Sequence, residues 1–116
     1  MQEIQGLYII SVAARILEMH PQTLRKYERA GFIAPSRTIG MLRLYSAEDI
    51  ARLRLIKHLV ENLSLNLAGV ELILQMLPSL ATLRELSDSS FSEQELKRQV
   101  RAKTDDILAL LGVSAR

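Results

Sequence analysis

A chain of 116 residues, 48% hydrophobic and 24% charged, is long enough for one domain with a real core and too apolar to be a disordered tail. It contains no cysteine, which excludes disulfides, thiolate zinc sites and thiol redox sensing. The net charge is only +2, but residues 15–57 carry nine basic against four acidic side chains, whereas residues 63–116 carry six against seven. A basic front half and a near-neutral back half suggest a polyanion-binding head and a packing tail.

Tyr8 to Ile10 is a short apolar lead-in, and Ser11 is the expected N-cap of a first helix. Val12, Ala13, Ile16 and Leu17 fall at helical spacing and form its expected buried stripe. Glu18-Met19-His20 interrupts the pattern, and Pro21 suits the first position of a second helix because its missing N–H has no helical partner there. So short a connection turns the two helices sharply against each other. The second helix is expected from Pro21 to Arg29, ending at Gly31. Leu24 and Tyr27 face inward, while Gln22, Arg25, Lys26 and Arg29 recur at i, i+3, i+4 and i+7 along one outward strip.

Phe32 to Tyr45 has two alternating apolar arms around a Pro, Ser, Thr and Gly centre, which predicts a small β-hairpin or wing. Ser46-Ala47-Glu48-Asp49 reads as a variant capping box for a third helix with Ile50, Leu53, Ile56, Leu59 and Val60 on its stripe. Asn66 is the expected cap of a fourth helix, buried along Leu67, Val70, Ile73, Leu74 and Leu77 and ended or kinked by Pro78. Leu80, Leu83 and Leu86 then form a separate short turn, followed by the linker Ser87-Asp88-Ser89-Ser90. Ser92-Glu93-Gln94-Glu95 is a capping-box pattern opening a last helix of about 30 Å that ends near Gly112. Its apolar stripe, Leu96, Val100, Ile107, Leu108 and Leu111, is interrupted by Lys103. That stripe either folds back on its own domain or meets a second copy; we favour a homodimer, which adds burial to a small chain.

The expected fold is therefore mainly α: a winged helix-turn-helix with a small β-hairpin wing over residues 6–77, then a linker and C-terminal dimerisation helix over residues 78–116. This arrangement fits double-stranded DNA, with the second helix in the major groove. Arg25 and Gln22 are expected to read bases, joined by Lys26. Thr23, Tyr27, Arg37, Arg43 and Tyr45 are expected to hold phosphates, which set register rather than sequence. No catalytic group, metal site or cofactor is expected, since His20 and His58 are the only histidines and lie in different elements. No stretch approaches the roughly 20 uninterrupted apolar residues of a membrane span, and Met1 to Gly6 shows no leader pattern, so a cytoplasmic location is expected.

The segment Thr23-Leu24-Arg25-Lys26-Tyr27-Glu28-Arg29-Ala30-Gly31-Phe32-Ile33 resembles the signature of the MerR family of transcription regulators. Arg43-Leu44-Tyr45-Ser46 followed by Glu48-Asp49-Ile50 resembles the next family block, so that the likeness covers about Tyr8 to Leu77. His20-Pro21-Gln22-Thr23-Leu24-Arg25-Lys26-Tyr27-Glu28 and Leu65 to Leu74 are similar to the HspR branch. That resemblance implies repression of chaperone genes from an inverted repeat, with the DnaK chaperone as co-repressor. Two departures stand out. The family's wing reads Gly-x-Arg-Arg-Tyr; here Gly40 lies one place early and Leu44 replaces a basic residue. Ser64 stands where the family commonly has Gly. The alternatives are a ligand-responsive MerR-type activator, for which the tail offers little room, an architectural DNA-bending or recombination-accessory protein, and a protein-interaction module.

Overall fold

A computed structural model describes residues 6–113. In chain order these form β1 (Leu7–Ile9), α1 (Ile10–Leu17), α2 (Pro21–Arg29), β2 (Ser36–Arg37), β3 (Arg43–Ser46), α3 (Ala47–Lys57), a π turn at His58–Asn62, α4 (Leu67–Leu86) and α5 (Glu93–Leu110). The mainly helical architecture and the hairpin wing agree with expectation. The chain divides into two compact units, the first through Val70 and the second from Glu71.

The apolar lead-in is a strand. β1 pairs antiparallel with β3, setting Tyr8 opposite Tyr45, and β3 pairs with β2, so the strand order is β1-β3-β2. Because the strand runs directly into α1, Ile9 occupies the N-cap position without a side-chain bond, and Ser11 lies inside the helix rather than capping it. Strand pairing also fixes the rotation of α1. Ala13, Ala14 and Leu17 are buried, while Val12 is half-buried and Ile16 is exposed.

The core of the first unit combines these residues with Leu24, Tyr27, Phe32, Ile33, Tyr45, Ile50, Leu53, Ile56, Leu59 and Val70. The Ser46 capping box is complete: Asp49 N–H donates to Ser46 Oγ at 3.0 Å, and Ser46 N–H donates to Asp49 Oδ2 at 3.0 Å. After α3 the helix widens into its π turn, where Leu63 N–H reaches the His58 carbonyl at 3.2 Å. Ser64 then turns the chain at φ 56, and Asn66 caps α4 by accepting from Gly69 N–H at 2.8 Å. The left-handed conformation at Ser64 is the physical reason a glycine suits that position.

α4 runs unbroken through Pro78 instead of ending there, absorbing Leu80, Leu83 and Leu86 into one 20-residue helix. Proline removes only one backbone N–H, so a long helix survives it at a cost. Val70 and Leu74 are buried on α4, Ile73 and Leu77 half-buried, and Leu67 exposed. Among the described residues α4 alone is long and apolar enough to cross a bilayer, at mean hydropathy 1.2, a property shared by core helices of soluble proteins. In the second unit Ser92 caps α5 through Glu95 N–H at 3.2 Å. The reciprocal half of that box is missing because the Glu95 carboxylate is taken by Arg98 at 2.6 and 3.0 Å and by Gln99 at 3.0 Å. Gly112, at φ 83, follows the end of α5, and Val113 N–H closes it on the Leu108 carbonyl at 2.9 Å.

Candidate nucleic-acid interface

Three residues separate α1 from α2. Glu18 takes a left-handed φ of 55, and Met19 N–H closes on the Ala14 carbonyl at 2.9 Å. Lys57 Nζ donates to the Leu17 carbonyl at 2.8 Å and finishes the end of α1. His20 is an N-cap that the sequence reading did not foresee: its Nδ1 accepts from Gln22 N–H at 3.0 Å. Pro21 at the first helical position then needs no partner. The nine residues of α2 make a rod about 14 Å long. It stops at Gly31, at φ 83, where Phe32 N–H bonds the Tyr27 carbonyl at 3.0 Å.

Burial divides α2 as its spacing predicts. Leu24 and Tyr27 point into the core, and the Tyr27 ring meets Phe32 at 6.1 Å between centroids. Gln22, Lys26 and Arg29 are exposed; Arg25 and Thr23 are half-buried. The side chains of Arg25, Lys26 and Arg29 make no hydrogen bond or ion pair among the described residues, so this strip is a row of cationic donors facing outward.

The wing is a hairpin with Ser36 opposite Leu44 and Arg37 opposite Arg43. Its turn is organised by Thr38, whose N–H reaches the Leu42 carbonyl at 2.9 Å and whose Oγ1 accepts from Leu42 N–H at 3.1 Å. Met41, not Gly40, takes the left-handed conformation, at φ 67. The displaced glycine thus leaves the turn intact but puts a side chain where the backbone disfavours one. Ile39, Met41 and Leu42 are exposed at its tip.

Arg37 and Arg43 both reach Glu28 on α2. Arg37 Nη2 donates to Oε2 and Arg43 Nε to Oε1, each at 2.5 Å. Burial pushes the Glu28 carboxyl up, but the hydrogen bonds and charges of Arg43 and Arg37 outweigh it and hold the group below its usual range. This carboxylate was overlooked as a site residue. The signal for it was an acid flanking an otherwise cationic strip; what the sequence concealed was the hairpin register that places both arginines against it.

The expected phosphate holders do not share one environment. Arg43 and Tyr45 lie two residues apart on β3 and so on one face of the sheet. Tyr45 is wholly buried and Tyr27 is 5% exposed, so both side chains act from within the core. Burial, then the Glu28 charge, raise the Tyr45 phenol above its ordinary range against the pull of Arg43, Arg25 and Arg37. Burial and the Glu61 charge do the same for Tyr27. The Tyr45 hydroxyl has no hydrogen-bond partner among the described residues. Two further cations serve the fold: Lys57, which reaches from α3 to the Leu17 carbonyl at the end of α1, and Arg52, whose Nε donates to the Phe32 carbonyl at 2.6 Å. The basic excess of the front half is therefore only partly available to a polyanion.

A short-turned helix pair with an outward cationic strip, flanked by a wing bonded to the same helix, is now defined over the first unit, and residues 8–77 match the family described as MerR HTH family regulatory protein. The chain belongs to the MerR family. It carries the helix-turn-helix of DNA-binding transcription regulators. It is similar to the heat shock protein HspR of Streptomyces coelicolor, 45% identical over 78 residues that cover 67% of this chain and 52% of the relative. It is similar as well to the HTH-type transcriptional regulator GlnR of Bacillus cereus, 33% identical over 70 residues, covering 60% of this chain and 54% of that one. The HTH-type transcriptional regulator MlrA of Escherichia coli is 40% identical over 58 residues, 49% of this chain and 24% of its own length. The chain spans about half the length of the first two of these curated relatives. These MerR-family likenesses are to regulators, not to catalysts.

Proposed function

We propose that this MerR-family chain is a sequence-specific repressor of heat-shock and chaperone genes that binds an inverted repeat as a dimer in the cytoplasm. The observation that carries the DNA-binding part is the α2 strip: Gln22, Arg25, Lys26 and Arg29 face outward with no internal ionic partner among the described residues. Arg25 and Gln22 read base edges, with Lys26 beside them, and Arg25 suits a bidentate contact with guanine. Thr23, Arg37 and Arg43 hold phosphates; Tyr27 and Tyr45 support that surface from beneath. Residues 6–77 form the DNA-binding head and residues 78–116 the dimerisation tail.

The dimer reading is supported by α5, none of whose residues is buried. Leu96, Ile107 and Leu108 are half-buried, and Val100 and Leu111 are 40% and 50% exposed. Such a helix hides little apolar surface until a partner covers it. The stress-gene assignment is supported by the likeness to HspR, and the DnaK chaperone is the co-repressor in this reading.

Selection of bound genomic fragments, repeated at two salt concentrations, tests the reading. An inverted repeat upstream of chaperone genes is the expected result, and added DnaK should tighten binding to it. A different promoter class would discard the heat-shock assignment and keep the regulator. Salt-sensitive but sequence-blind binding would point to an architectural protein.

A further inference from the structure

Arg37 and Arg43 stand directly opposite each other in the wing, a pairing that like charges oppose. One carboxylate, from a different element, lies against both. We propose that Glu28 is a positioning residue for DNA binding: it docks the wing on α2 and aims the guanidinium N–H groups it leaves unused at the phosphate backbone. The proposal rests on the reading of α2 and the wing as the DNA-contacting surface.

The atoms define how the two arginines differ. Arg37 commits Nη2 to Glu28 and Nη1 to the Met41 carbonyl at 3.4 Å. Among the described residues Arg43 commits only Nε, which leaves its Nη1 and Nη2 edge for a phosphate. Arg43 is therefore the principal phosphate-gripping arginine, and Arg37 doubles as a strut between the wing tip and α2. Side-chain exposures of 30% for Arg37, 26% for Arg43 and 21% for Glu28 set this triad at the surface yet packed enough to hold one geometry.

The proposal makes a prediction opposite to plain electrostatics. An acid beside phosphate-binding arginines repels DNA, so removing its charge should tighten binding. If Glu28 positions Arg43, removal weakens binding, because a glutamine amide accepts through one oxygen and cannot satisfy both guanidinium groups. The test uses the full chain and a duplex carrying the selected inverted repeat. Glu28→Gln should bind about tenfold more weakly, and its salt dependence should flatten by about one phosphate contact. In an Arg43→Ala background the same change should add almost nothing, because the contact it supports is already gone. Glu28→Asp keeps the charge but is one methylene shorter, so it too should weaken binding, and it serves if the glutamine variant fails to fold. Binding by Glu28→Gln as tight as wild type or tighter, with an unchanged or steeper salt slope, overturns the proposal. So does wild-type binding by Glu28→Asp, or an undiminished Glu28→Gln effect in the Arg43→Ala background. A wild-type chain that bound no duplex at any salt concentration would remove the underlying DNA reading and the proposal together, a result distinct from all of these.

Discussion

Tyr45 carries a hydroxyl that folding has taken out of water without giving it a partner among the described residues. A buried polar group left unpaired costs about 1–3 kcal/mol. Tyr45→Phe should therefore raise stability, by about 1 kcal/mol, shown as a higher urea midpoint with an unchanged slope. Lower stability would mean that the hydroxyl has a partner in solution. Glu28 couples the wing to pH. Its carboxyl titrates lower in the fold than in the unfolded chain, so its contribution is present above the unfolded value and lost as pH falls through the depressed folded value. As pH falls, the resonances of the wing should hold until Glu28 protonates at its depressed folded value and then shift together in a pH series followed by NMR, and in Glu28→Gln that step should be absent.

At the scale of elements, the parts that local chemistry decides were legible and the parts that pairing decides were not. The limits of α2 follow from Pro21 and Gly31 alone, and the Ser46 box needs only four consecutive residues. β1 escaped notice because three apolar residues have no detectable period, and their strand character comes from β3, where Tyr45 stands opposite Tyr8. The half-formed box at Ser92 failed for a local reason: Arg98, one turn along the same helix, competes for the acid that the pattern assigned to the backbone. Two backbone positions remain improvable. Ser64→Gly should stabilise the chain by about 0.5–1 kcal/mol, because glycine takes the left-handed turn without the steric penalty of a side chain. Pro78→Ala should restore a backbone bond inside α4 and raise its stability by up to about 3 kcal/mol, visible as a later loss of helical circular dichroism on heating. No gain would place the proline outside the cooperative unit.

For the whole molecule, the candidate site was legible in its helix and not in its wing. The α2 strip follows from the 3.6-residue period, whereas the roles of Arg37, Arg43 and Tyr45 depend on register and on which sheet face meets α2. Assembly belongs to this scale as well. In the proposed dimer, Leu108→Asp would put a charge into the paired face of α5, so sedimentation should show a monomer and binding to an inverted repeat should fall far below that of wild type. A variant that stayed dimeric would move the interface off α5.

The wing tip has one more consequence. Thr38 to Leu42 is a loop tip that presents Ile39, Met41 and Leu42 to solvent, the kind of place where a protease that favours bulky apolar residues makes its first cut. A cut there falls between β2 and β3, after α2, and severs only the covalent link. β1 from the first fragment still pairs with β3 from the second, and α1 still packs on both α2 and α3. The nicked protein should therefore hold together as two complementing fragments, and a bound duplex would shield the scissile loop, so that the chain could be split at this point into a two-piece reporter of its own operator.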